Sequence, residues 1–294
     1  MPEQDQFHSA GTPGRPGRVI PRWAAELLAR LTQRAPAIVT PGVLGDLLAE
    51  VGSDVSVDAA LKRLLRLGWL RSVAVRGAFA FVGPGVDELA DPYIDLRAWQ
   101  ARESGATFCL AGDNAAWHLG YLDRMPERTT VWVPPRAVLP KGLRHRLSCV
   151  RTRFPTHIDV RGLGPTPALL RKRRLDLLTW SASLPAFGPE ALVVQVSSRP
   201  ASFASWVDLA GKLEEVARDV DIEHLRDLLS ASSDAARQRA AYLLRLGKRD
   251  DATSLLPATP QPVEFGSGGP ATWDGATRVN DHLVARLMDA NAKA

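Results

Sequence analysis

Residues 36–82, PAIVTPGVLGDLLAEVGSDVSVDAALKRLLRLGWLRSVAVRGAFAFV, decide the fold. Their pattern predicts a helix, a tight turn, a basic helix and a short hairpin with a charged tip. That is the order of a winged helix-turn-helix, and it points to duplex DNA. Thr40 stands where an N-cap belongs and Pro41 at the first helical position, where its missing N–H costs nothing. Val43, Leu44, Leu47, Leu48 and Val51 then recur at spacings of three and four, and Gly52 closes the helix. Ser56 is the N-cap expected for the next helix, whose inward stripe is Val57, Leu61, Leu64 and Leu65, with Gly68 as its stop.

The other face of that second helix carries Asp58, Ala59, Lys62, Arg63 and Arg66. Positions four apart align, so Asp58, Lys62 and Arg66 form one row and Ala59 and Arg63 the row beside it. A small residue followed by three cations suits entry into a major groove, with Lys62, Arg63 and Arg66 meeting bases or phosphates and Ser56 near a phosphate. Trp69–Val73 and Ala78–Val82 read as the two arms of the wing, flanking Ala74-Val75-Arg76-Gly77. Arg71 and Arg76 are expected to fix it, Arg76 lying along a phosphate strand or reaching into the minor groove.

Working outward, the 294 residues suffice for two domains. The fold class expected is α+β: a tail over residues 1–18, a winged helix-turn-helix over 19–88, and a larger mixed α/β domain over 89–294 that ends in helices. The tail is rich in Gly and Pro and reads as disordered. Pro21 opens a first helix with Trp23, Leu27, Leu28 and Leu31 inward, and Gly83-Pro84-Gly85 marks the boundary. Beyond it, a helix is expected near Asp91–Glu103, strands at 107–110 and 129–133, and a short helix at Asp113–Leu119. In Ser148–Phe154, alternation sets Cys149, Arg151 and Arg153 against Val150, Thr152 and Phe154. Leu192–Ser197 reads as a strand, Phe203–Ala217, Ile222–Ser230 and Asp234–Leu246 as helices, residues 257–275 as an irregular strap, and Leu283 and Leu287 as part of a terminal helix.

Net charge is +5, which favours an anionic partner without naming it. Residues 1–90 hold 10 Lys+Arg against 9 Asp+Glu, so a DNA-reading first domain must segregate its charge by face. Residues 91–190 hold 15 against 9. No apolar run reaches the roughly 20 residues of a membrane span. The two cysteines, Cys109 and Cys149, read as buried small residues in a reducing cytoplasm.

Several segments together resemble the AbiEi family of bacterial antitoxins and transcriptional regulators, over nearly the whole chain. They are Leu64, Leu65, Gly68, Trp69, Leu70, Arg76, Gly77 and Phe79, then Asp113-Asn114-Ala115-Ala116-Trp117-His118-Leu119-Gly120 with the Thr130–Val133 strand, then Ala241–Gly247. The resemblance implies a cytoplasmic, non-enzymatic autorepressor that binds inverted repeats at its own promoter and counteracts a nucleotidyltransferase toxin. It also implies that antitoxins of this kind often act without a stable toxin complex, so no toxin interface is nominated. Paired half-sites call for two copies, assembling as a dimer on DNA.

No catalytic constellation emerges, and neither cofactor nor metal is expected. The six histidines are scattered without zinc spacing, and Gly266-Ser267-Gly268-Gly269 lacks the Lys-Ser/Thr of a phosphate loop. The alternative from another class is a metal-dependent nuclease with a winged-helix reader, for which Asp159 and Glu190 are the tempting pair. Arg171-Lys172-Arg173-Arg174, with Arg151, Arg153 and Arg144, offers a second phosphate-contacting surface or, read plainly, a solvated helix face.

Overall fold

The computed structural model describes residues 21–86, 89, 91–103, 106–154 and 184–292. The expected tail and the Arg171–Arg174 run lie outside the described residues. The chain is α+β and divides into two units, Met1–Arg102 and Glu103–Ala294.

In the first unit, α1 (Arg22–Arg34) buries Ala24, Leu27, Leu28 and Leu31. Next come β1 (Ile38–Val39), α2 (Pro41–Glu50) and α3 (Val57–Arg66). The Thr40 hydroxyl accepts from Val43 N–H at 3.3 Å and the Ser56 hydroxyl from Ala59 N–H at 3.3 Å, so both caps act as the sequence indicates. Both helices end in the same way. Gly52 (φ +62) and Gly68 (φ +74) take the left-handed conformation, while Ser53 N–H reaches Leu48 O and Trp69 N–H reaches Leu64 O, each at 3.0 Å. Leu44, Leu47, Ala60, Leu61 and Leu64 join the α1 residues in one apolar core. Burying each such leucine contributes about 1.5–3 kcal/mol.

The hairpin arms are shorter than the sequence suggests, β2 (Leu70–Ser72) and β3 (Phe79–Phe81), paired Leu70↔Phe81 and Ser72↔Phe79. A strand unmarked in the sequence, β1, adds to β3 through Ile38↔Ala80 and Val39↔Phe79, giving the order β1-β3-β2. The unit runs past residue 88, where the glycine-proline stretch suggested a boundary, because α4 (Ile94–Arg102) packs on β1 and β3. An Asp91–Arg97 ion pair braces the entrance to α4.

The second unit starts with β4 (Cys109–Leu110), α5 (Gly112–His118), β5 (Thr129–Trp132) and β6 (Leu147–Val150). β4 and β5 are antiparallel, β5 and β6 parallel, with a bridge from Leu110 to Ala186 at the edge. The alternation in 148–154 is realised: Val150, Thr152 and Phe154 are buried, whereas Cys149 and Arg153 are exposed and Arg151 half-buried. Cys149 therefore corrects the expectation of two buried cysteines, because strand period outweighs apolar neighbours.

Leu192–Ser197 is not a strand. It lies in α6 (Pro189–Ser198), a helix buried on nearly every face, whose continuous apolar run carries no period to tell helix from strand. The expected helix at Phe203–Ala217 is two, α7 (Trp206–Gly211) and α8 (Leu213–Asp219), interrupted where Gly211 weakens helix propensity. α9 (Ile222–Leu229) and α10 (Asp234–Leu246) follow, capped by Asp221 and Ser233. Gly247 closes α10 for want of space rather than by a positive φ, since a Cβ there would stand 2.3 Å from Leu213 O and 2.6 Å from Ala217 Cβ.

The strap is a small sheet, β7 (Val263–Phe265), β8 (Thr272–Asp274) and β9 (Val279–Asp281), ordered β7-β9-β8. Buried Gln238 of α10 donates to Gln261 O at 2.6 Å and Thr277 O at 2.9 Å, pinning it. Buried Asp281 accepts from Leu283, Val284 and Ala285 N–H at 2.6–2.9 Å and from the Tyr242 hydroxyl at 2.7 Å, so it starts α11 (Val284–Asn291).

Candidate nucleic-acid interface

Helix α3 presents its polar face as the period demands. Ser56, Asp58, Ala59, Lys62 and Arg66 are exposed and Arg63 is half-buried, while Ala60, Leu61 and Leu64 face the core. Lys62 and Arg66 are one helical turn apart, about 5–6 Å between Cβ atoms. Among the described residues, Lys62, Arg63, Arg66 and Arg76 have neither ion-pair nor hydrogen-bond partners. Asp58 sits in the first turn, where the helix dipole favours a carboxylate.

β2 packs against α3 and carries exposed Arg71. The loop beyond it is held down rather than free: Ala78 N–H donates to Val75 O at 3.2 Å, and Val75 and Ala78 are buried. Ala74 N–H donates to Asp95 Oδ1 of α4 at 2.8 Å, and Gly77 (φ +77) lies so close to α4 that a Cβ would meet Arg102 Nε at 3.3 Å. Arg76 is the loop cation left exposed.

Charge is segregated along the chain as well. From Ala59 to Val86 there are five cations and no carboxylate, and Glu50, the nearest acid on α2, is closed by Arg34 at 2.7 Å. The six residues singled out in the sequence thus sit on α3 and the hairpin beside it. The bracing by Asp95 escaped sequence reasoning, because nothing local marks a contact made some twenty residues downstream.

The second basic surface fares differently. The Arg151 guanidinium donates to Pro134 O at 3.0 Å, Pro135 O at 2.8 Å and Ala137 O at 3.4 Å, so it clamps the chain after β5. Arg153 and Arg144 are exposed, Arg144 Nε donating to Leu139 O at 3.4 Å. Arg171, Lys172, Arg173 and Arg174 lie outside the described residues. Exposed Arg128, Arg136 and Lys141 were not singled out, although residues 124–153 contain eight Lys+Arg and one acid, a density visible in the sequence.

Polar groups elsewhere in the second unit serve its packing. Asn114 Oδ1 accepts from Thr130 N–H at 2.6 Å, Asp113 Oδ1 from Ser205 N–H at 2.8 Å, and Gln195 Oε1 from Gly112 N–H at 2.8 Å. Gly112 (φ +52) permits this, since a Cβ would meet Thr130 Cγ2 at 3.0 Å. His118 is half-buried, edge-on to Trp117 at 4.8 Å, and burial lowers its pKa. Glu190 is buried and accepts from Asp221 N–H at 2.9 Å, with His224 Nδ1 at 3.9 Å. Asp159, its supposed partner in a nuclease, lies outside the described residues. Among the described residues, no group of three or more His, Cys, Asp or Glu is placed to hold a metal, and no helix is long and apolar enough to cross a membrane.

Residues 106–246 match the model of the AbiEi antitoxin C-terminal domain. The chain is similar to the crystal structure of RV2827C protein from Mycobacterium tuberculosis, at 41% identity over 93% of this chain and 96% of that one, with a TM-score of 0.79. No curated protein matches. A second unit of antitoxin type defines the class. The chain belongs to the AbiEi antitoxin family.

Proposed function

We propose that this antitoxin is also a cytoplasmic, DNA-binding autorepressor, its first unit containing a winged helix-turn-helix over residues 19–88 that α4 extends. In this reading it acts without catalysis of its own against a nucleotidyltransferase toxin. Helix α3 enters the major groove of operator DNA: Arg63, flanked by exposed Ala59, reads a base edge, while Lys62, Arg66, Arg71 and Ser56 meet phosphates and Arg76 holds the flanking strand. Two copies occupy inverted repeats and pair on the DNA. The observation that carries this is the pair Lys62 and Arg66, exposed and without ion-pair or hydrogen-bond partners among the described residues, on a capped helix whose one carboxylate, Asp58, sits in its first turn. Cations not engaged in an ion pair of the protein's own remain available to phosphate.

Arg153 and Arg144, joined by Arg128, Arg136 and Lys141, support a second phosphate-contacting surface on the other unit. Arg151 shapes that surface rather than contacting DNA, and Arg171–Arg174 belong to it only by proximity in sequence. A mobility shift on the DNA upstream of the chain's own reading frame, against an unrelated duplex as competitor, tests the reading. A retained specific shift is expected. Equal competition by the unrelated duplex, or no shift at about 0.1 M salt, removes operator recognition.

A further inference from the structure

We propose that the second unit holds a binding pocket for a small amphipathic carboxylate, where α10, the end of β7 and the start of α11 meet the corner leading into α7. A cavity of about 340 Å³ opens there, its lining including apolar Pro200, Phe203, Trp206 and Leu283 and charged Arg239 and Glu264. This is at the small end of the range for ligand pockets, which are mostly apolar with a few polar groups converging on them.

The apolar side is rigid and has no polar group to offer. Phe203 and Trp206 pack edge-to-face at 5.4 Å, Trp206 and Phe265 likewise at 5.4 Å, and the indole N–H of Trp206 is already bonded to Pro200 O at 2.9 Å. Such a wall accepts hydrocarbon or an aromatic ring.

The polar side selects the charge. Arg239 is half-buried, with Nε donating to Glu264 O at 2.7 Å and Nη1 to Ser197 O at 3.3 Å. Both acceptors are neutral backbone carbonyls, and among the described residues no carboxylate lies within ion-pair distance of Arg239. A guanidinium has five N–H donors, so donors remain for the cavity, and burial already works against the charge. The neighbouring Glu264 carboxylate acts on Arg239 only through its field, its hydrogen bonds going to His282 Nε2 at 2.6 Å and Asn280 Nδ2 at 3.2 Å. A half-buried guanidinium that makes no ion pair and keeps N–H donors to spare, in a cavity otherwise lined largely by apolar residues, is complementary to a carboxylate attached to an apolar body.

The glycine-rich loop finds its use here. Gly266 (φ +79) lies so close to Leu283 that a Cβ would stand 2.8 Å from the leucine Cβ, and this approach shapes the cavity's edge. Glycine lets the backbone pass where a side chain would collide with Leu283.

The pocket is independent of the DNA reading, and its test uses the full chain. Phenylpropionate, phenylpropanamide and phenylpropylamine are titrated separately by calorimetry. The carboxylate is expected to bind at least about tenfold more tightly than the amide, a difference typical of a charge-assisted bond, and the amine not to bind. Arg239→Gln is expected to erase the preference for the acid. Ala201→Phe, at the exposed mouth and away from Arg239, is expected to abolish binding of every probe, and this keeps the test decisive if Arg239→Gln fails to fold. Equal affinity for acid and amide, no carboxylate binding at about 10 mM, or undiminished binding by Ala201→Phe overturns the proposal.

Discussion

Replacing Lys62 and Arg66 together by glutamine removes two exposed charges that touch nothing among the described residues. Stability is therefore expected to change by no more than about 0.5 kcal/mol, as for ordinary surface substitutions. Binding should change far more. Each phosphate neutralised by a protein cation contributes about −0.9 to the slope of log K against log salt. If each side chain meets one phosphate and two protomers bind, the double variant loses about 3.6 from that slope. At ~0.15 M salt each missing contact weakens binding about fivefold, or ~1 kcal/mol, so the bound dimer loses roughly 4 kcal/mol. Fluorescence anisotropy on labelled operator, run from low to high salt with wild type alongside, reads both quantities. A variant that folds normally yet keeps the wild-type slope would refute the argument, because α3 would then not face the duplex.

Arg63→Ala is expected to cost about 1–3 kcal/mol on the operator and to relax preference at one base pair, whereas Arg76→Ala weakens all sequences alike; anisotropy on a set of point-substituted operators distinguishes them. Gly247→Ala must push a Cβ against Leu213 O and Ala217 Cβ, so a loss of about 1–3 kcal/mol or more is expected in denaturant unfolding, and unchanged stability would mean the α8–α10 contact yields easily. Asp281→Ala strips a cap from three backbone N–H groups and a partner from Tyr242, for an expected loss of about 2–4 kcal/mol, against ~1 kcal/mol for Tyr242→Phe. His282 donates towards two acceptors, Gly269 O and the Glu264 carboxylate, which raises its pKa above 6.5. Its contribution to stability is thus complete below pH 6.5 and fades as pH climbs through the raised value, so thermal midpoints should fall over that window in wild type and stay flatter in His282→Gln.

What could be read from the sequence was what is decided locally. Thr40 and Ser56 were each marked as caps by type and position, and each side chain accepts a bond from the first turn of its helix. The polar face of α3 followed from period alone. The two-residue strand Ile38-Val39 was not legible, since its partners Ala80 and Phe79 lie some forty residues away. α6 failed for another reason: a segment buried on every side shows no alternation of any kind. The brace under the hairpin, from Asp95, is non-local in the same way.

Arginine type and local charge density cannot tell a ligand-contacting cation from a structural one, and the structure separates the two by what each guanidinium already holds. Arg151 spends its donors on three carbonyls of the chain after β5, and Arg249 on Ala217 O and Val220 O, both at 2.6 Å. Replacing either removes a clamp from the fold, and any loss of DNA binding would follow from that. Lys62, Arg66 and Arg76 hold nothing within the described residues, so their charge is offered outward. Arg239 lies between the classes, anchored on one side and open towards a cavity on the other. Sequence reasoning placed Arg151 with the outward cations because strand alternation set it beside Arg153. Alternation fixes which face a side chain leaves from, but the carbonyls it meets on that face come from the fold's return path, and those decide its role.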